Sequence, residues 1–137
     1  MSDELKRLDR LVGTWEVSGG AIGTTTYEWM DGGHFLIQRG LLEQHGHQVR
    51  FTEMIGHEHK FGEEPGTDIQ SRVYDAEGNT LDYVYELEGD VLTIWGGFKG
   101  SPAYFRGTFS TDGDRLAGDW VYPGGGGYQA TLVRRAS

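Results

Sequence analysis

From residue 14 onward the chain alternates apolar and polar positions in twos, as in "TYEW", "LDYVYELE" and "YFRGTF". Turn-forming groups interrupt that alternation about every ten residues: "DGG" at 31–33, "HGH" at 45–47, "EGN" at 77–79, "EGD" at 88–90 and "DGD" at 112–114. A period of two broken by glycine turns is the pattern of short antiparallel strands joined as hairpins. It predicts about ten strands, near 14–19, 24–30, 34–43, 48–57, 67–75, 80–87, 91–96, 103–109, 115–122 and 127–134, in the range of an all-β up-and-down barrel. Only "SDELKRLDRLVG" departs from it. Leu5, Leu8, Leu11 and Val12 follow the three-to-four spacing of one helical face, Ser2 or Asp3 can cap its start, and Gly13 can end it. A helix over 3–12 is expected to plug one end of the barrel. No linker or repeat divides residues 1–137, so one domain is expected.

Two-residue turns fix which side chains share a face, because opposed residues point the same way. A turn at Asp112-Gly113 sets Phe109 against Leu116, Gly107 against Gly118 and Phe105 against Trp120, with Arg106 and Asp119 paired on the other face. A turn at Glu88-Gly89 groups Leu81, Tyr83, Tyr85, Leu92 and Ile94, and leaves Trp95 outside as a rim or oligomer contact. One extra residue in any turn reverses such an assignment.

Composition narrows the function. The 137 residues contain no cysteine, which excludes disulfides, thiolate metal sites and a thiol nucleophile. A net charge of −9, from 12 basic and 21 acidic residues, opposes binding to nucleic acid. The start, "MSDELKRLDRLVG", is charged where a signal peptide is apolar, and no run is long enough to span a bilayer, so a cytoplasmic protein without membrane partners is expected.

"LDRLVGTWEV", a short helix leading into Gly13-Thr14-Trp15, resembles the Gly-x-Trp opening of lipocalins and related calycin barrels. The resemblance implies that Trp15 packs at the closed end against an arginine from the last strand, with Arg134 the matching candidate ahead of Arg135. The stretches "YEWMDGGHFLIQRG", "SPAYFRGTFS" and "LAGDWVYPGGGGYQATLVR" also resemble an uncharacterised bacterial lipocalin-like domain family. That family has no assigned activity, so it implies a lipocalin- or fatty-acid-binding-protein-like barrel with a cavity. Heme-binding barrels of the nitrobindin type ligate iron through a histidine on a late strand. Here all five histidines lie between 34 and 59, and no heme or other cofactor is expected.

Candidate chemistry is sparse. In "GHEHKFGEEPG", residues 56–66, a turn at His45-Gly46 places His34 opposite His57, with His59 at the same parity. Three imidazoles make a competent zinc or copper shell, with Glu63 or Glu64 beside it. The flanking Gly, Pro and Glu residues read instead as a solvated loop, which is the preferred reading. The same turn sets Gln38 opposite Glu53. A buried carboxyl there is a potential general base, although an interior hydrogen-bonded pair is the more usual arrangement. "GGFKG" and "PGGGG" do not lie between a strand and a helix, so they read as hairpin loops rather than phosphate cradles.

Two functions follow: a barrel that binds a small molecule, or a metal-assisted or general-base enzyme acting in the same cavity. The aromatic interior favours binding, with Tyr27, Trp29, Gln38, Glu53, Tyr83, Tyr85, Phe105 and Trp120 as the expected lining. A turn near Gly78 leaves Arg72 open to two assignments. In one, Gln70, Arg72 and Tyr74 face inward and Arg72 anchors a ligand carboxylate. In the other, the turn has one more residue, Ile69 and Val73 face inward and Arg72 faces solvent. A homodimer is compatible with the sequence.

Overall fold

The computed structural model describes residues 2–136; Met1 and Ser137, the ends of the expected domain, lie outside the described residues. Ten antiparallel strands follow one another around a closed barrel: β1 (Gly13–Gly19), β2 (Ile22–Trp29), β3 (Phe35–Gln44), β4 (His47–His57), β5 (Ile69–Asp75), β6 (Thr80–Glu88), β7 (Val91–Gly96), β8 (Tyr104–Phe109), β9 (Arg115–Val121) and β10 (Tyr128–Arg134). Each strand pairs with its neighbours in sequence, and β1 closes on β10 with Trp15 opposite Arg134. Alternation puts one set of side chains inside, so closure leaves no hydrogen-bonding edge exposed.

Register follows the turns. At β3–β4, His45 and Gly46 both have positive φ (53° and 77°), the geometry of a tight two-residue hairpin, and Gln38 faces Glu53 as the turn requires. At β8–β9, Phe105 faces Trp120 and Gly107 faces Gly118. At β6–β7 the turn is Gly89-Asp90, one position later than expected, so Tyr85 faces Ile94. The slide moves each partner by two residues and preserves the faces. Trp95 is accordingly outside, half-buried, with its Nε1 donating to Glu86 and its ring 5.3 Å from Tyr104.

The inward glycines do not enlarge the interior as their missing side chains suggest. A methyl on Gly40 would sit 2.4 Å from the Phe51 ring, and one on Gly107 would sit 2.7 Å from the Phe105 ring. The aromatic neighbours lie over the glycines and fill that space.

The N-terminal plug is not one helix. An α-helical turn, α1 (Asp3–Lys6), continues as a 3-10 turn over Arg7–Leu11. Leu5, Leu8 and Leu11 are buried and pack with Trp15, Leu36, Ile55 and Phe109 into the main core, which continues to Tyr85, Ile94 and Phe105 beside the cavity. Polar ties fix the plug from several directions. Ser2 Oγ accepts from the Leu5 amide and bonds His57 Nε2 at 2.7 Å. Trp29 Nε1 donates to Asp9, Trp15 Nε1 donates to the Leu11 carbonyl, and Arg10 pairs with Asp90. Ser2→Ala removes both the cap and the bond to His57, and should cost about 1 kcal/mol in urea denaturation. An unchanged midpoint would show that the apolar face alone seats the plug.

The closed end carries the expected pair. Trp15 is fully buried, and the Arg134 guanidinium lies 4.2 Å from its ring centroid. Arg134 also donates to the carbonyls of Val12 and Arg10 and pairs with Asp114 at 3.1 Å. One arginine thus joins the plug, the tryptophan and the β8–β9 loop. No described helix is long and apolar enough to cross a membrane.

Candidate functional site

The half of the barrel away from the plug is hollow. A cavity of about 300 Å³ extends from Glu53 and Tyr85 in the middle to Gln44, Asp75, Tyr122 and Tyr128 near the opposite rim. Its volume is at the lower end of small-molecule sites, which run from about 300 to 1,000 Å³. Seven of the expected residues line it: Tyr27, Gln38, Glu53, Tyr83, Tyr85, Phe105 and Trp120. Trp120 gathers two of these rings, with centroids 5.8 Å from Tyr83 and 5.5 Å from Phe105.

Two of the expected lining residues belong elsewhere. Trp29 points inward, but at the plugged end, where Asp9 takes its indole N–H. Strand parity fixes a side chain's face and leaves its height along the barrel open. Arg72 faces solvent and bonds Asp82 at 2.7 Å. The β5–β6 connection is the cause: the Asp75 amide donates to the Asn79 carbonyl, closing a three-residue loop, one longer than an inward Arg72 needs. Ile69, Ser71 and Val73 turn inward instead. Arg72→Ala should therefore leave ligand affinity and melting temperature close to wild type, as measured by titration and thermal denaturation.

The centre of the cavity is built around Glu53, which is 3% exposed. Ser71 Oγ donates to its Oε2 at 2.6 Å from β5, and the Tyr85 hydroxyl lies 2.9 Å from both carboxyl oxygens from β6. Gln38 does not take part: its Nε2 donates to Thr25 Oγ1 at 2.8 Å. Burial pushes the Glu53 carboxyl up to about 7, against the pull of the bonds from Ser71 and Tyr85. Burial, together with the nearby carboxylate, also raises the Tyr27, Tyr83 and Tyr85 hydroxyls well above their ordinary value, and burial with neighbouring Tyr122 lifts Tyr128 to about 12. Glu53 is thus the group in this part of the barrel that can change charge near neutral pH.

Ser71 escaped the reading that turned Arg72 inward. The sequence signal for it was present in the alternative register, where a serine between inward Ile69 and Val73 must also face inward. Tyr122 and Tyr128, which flank the "PGGGG" loop, were likewise legible only as a hairpin.

The three histidines do not form a metal shell. His34 and His59 are exposed and lie outside the strands, while both ring nitrogens of His57 are engaged, Nε2 with Ser2 and Nδ1 with the Asp68 carbonyl. Among the described residues, no three His, Asp or Glu side chains are placed to hold an ion. No protein-family model matches this chain, and no curated protein matches its sequence.

Proposed function

We propose that this barrel is a binding module enclosing a small apolar or aromatic molecule. The observation that carries the reading is the cavity itself, lined by aromatic and aliphatic side chains around one buried, hydrogen-bonded carboxyl. The resemblance to lipocalin-like barrels supports it, and the stacking of Arg134 on Trp15 fits that resemblance. A cytoplasmic location is part of the same proposal; recovery of the protein outside that compartment on cell fractionation would remove it.

Trp120 reports on occupancy because its ring lies in the lining. Small apolar compounds such as toluene and cyclohexanol should change tryptophan fluorescence in a saturable way. Ala130→Leu, which puts a larger side chain into the cavity wall, should weaken that response at least about tenfold while the variant still melts cooperatively. Equal affinity in the filled variant would place the compounds outside the barrel.

One observation favours a second reading. A buried carboxyl pushed up to about 7 beside a cavity suits general acid–base catalysis on an enclosed ligand. Under that reading Glu53→Gln abolishes turnover of a compound that the variant still binds. Under the first, no compound bound by the barrel is converted.

A further inference from the structure

The cavity has a one-sided charge. Its described lining contains two carboxylates, Glu53 and Asp75, and no lysine, arginine or histidine. Arg72, the basic residue with an open assignment in this region, is outside and paired with Asp82. The bonds received by Glu53 come from two neutral hydroxyls, so its carboxylate has no cationic partner among the described residues. Near the rim, Asp75 remains a carboxylate, held below its ordinary range by the Asn79 side chain and by the amides of its own loop. The same lining carries the rings of Tyr27, Tyr83, Phe105 and Trp120.

Aromatic faces carry partial negative charge, and they attract an ammonium strongly where water is excluded. A carboxylate ligand would meet no cationic side chain in that lining, and would be repelled by ionised Glu53. A neutral ligand would fill the volume and leave Glu53 protonated. We propose, on the basis of the binding function above, that the ligand is a small organic amine bound as its ammonium ion, with the charged end at Glu53 and the apolar part among the aromatic rings toward the rim. The ammonium then supplies the cationic partner that the described residues do not give Glu53.

Binding of this kind has a pH signature. The groups facing Glu53 are Thr25 and Tyr27 from β2, Gln38 from β3, Ser71 from β5, and Tyr83 and Tyr85 from β6. The three tyrosines are pushed upward and Asp75 downward, which leaves Glu53 as the group in this set that titrates between about pH 5.5 and 8. An alkylammonium keeps its proton throughout that range. Its affinity should rise as Glu53 ionises, whereas the affinity of a neutral analogue should stay level.

The test uses three probes of similar shape with the full chain: 2-phenylethylamine, 2-phenylethanol and 3-phenylpropionate, each titrated calorimetrically at pH 8 and again at pH 5.5. The amine is expected to bind at least about tenfold more tightly than the alcohol at pH 8, the carboxylate least of all, and the amine's advantage should shrink at pH 5.5. Glu53→Gln should remove the preference for the amine. If the alcohol or the carboxylate binds as tightly as the amine, or if the amine's affinity ignores both pH and Glu53→Gln, the ammonium assignment falls and the enclosing cavity remains. If none of the three binds, the ammonium assignment and the binding function fall together.

Discussion

Replacing Trp15 by alanine should destabilise the barrel by about 3–5 kcal/mol, the usual cost of removing a buried large aromatic. Trp15 is among the side chains with no exposed surface, and it touches three separate parts of the fold. Its ring packs 6.4 Å from Phe109, its Nε1 donates to the last carbonyl of the plug, and its face receives Arg134. Alanine leaves a void at the junction and strips the guanidinium of its aromatic support. Domains of this size are stable by only about 5–15 kcal/mol, so the loss takes a large share of the total. Urea denaturation followed by far-ultraviolet circular dichroism measures it. A loss below about 1 kcal/mol would mean that the plug and β10 hold the closed end without the indole.

The second large effect depends on pH. In an unfolded chain the Glu53 carboxyl ionises near 4.5, and in the barrel burial holds its proton to about 7. Between those values the unfolded state gives up a proton that the native state keeps, so stability falls as pH rises. The contribution is fully present below about 4.5 and is lost by the time pH passes 7. Each tenfold difference in proton affinity is worth about 1.4 kcal/mol, which makes the whole loss about 3 kcal/mol. Glu53→Gln keeps the shape and cannot ionise. It should equal wild type near pH 4 and exceed it by up to about 3 kcal/mol at pH 8, as read from urea midpoints at each pH. A parallel pH dependence in the variant would assign the effect to other groups. A residue whose replacement stabilises the protein at the pH where cells operate is kept for something other than folding.

How far the sequence could be read depended on local chemistry. Hairpin faces were legible wherever the turn declared its length: His45-Gly46 fixed β3 against β4, and "DGD" fixed β8 against β9 through a loop of even length. The β5–β6 connection did not declare it. "DAEGN" suits either a two- or a three-residue loop, and the outcome rests on Asp75, whose carboxylate caps the amides of Glu77 and Asn79 and holds the longer form. That one residue decides whether Arg72 or Ser71 faces the interior. The lining from β2, β3, β4 and β6 was otherwise apparent from parity, because aromatic residues recur on the inner face. Parity could not say that Trp29 belongs to the plug, because height along the barrel depends on strand tilt and on what fills each end. The histidines failed as a site for a related reason: a shared parity brings side chains to one face, and ligation needs strands that continue past them.

The seam between β1 and β10 sets the order in which the molecule can be completed. The first strand made must wait for the last, since Trp15 finds Arg134, and the carbonyls of Arg10 and Val12 find their donor, only when the far end of the chain arrives. Any sheet that β1 through β9 formed before that point would carry two unsatisfied margins, open to pairing with a neighbouring chain. Pairing of β10 with both β9 and β1 removes those margins and turns an open ribbon into a closed vessel. Its contacts span almost the whole sequence, so that step is slow on the scale of hairpin formation.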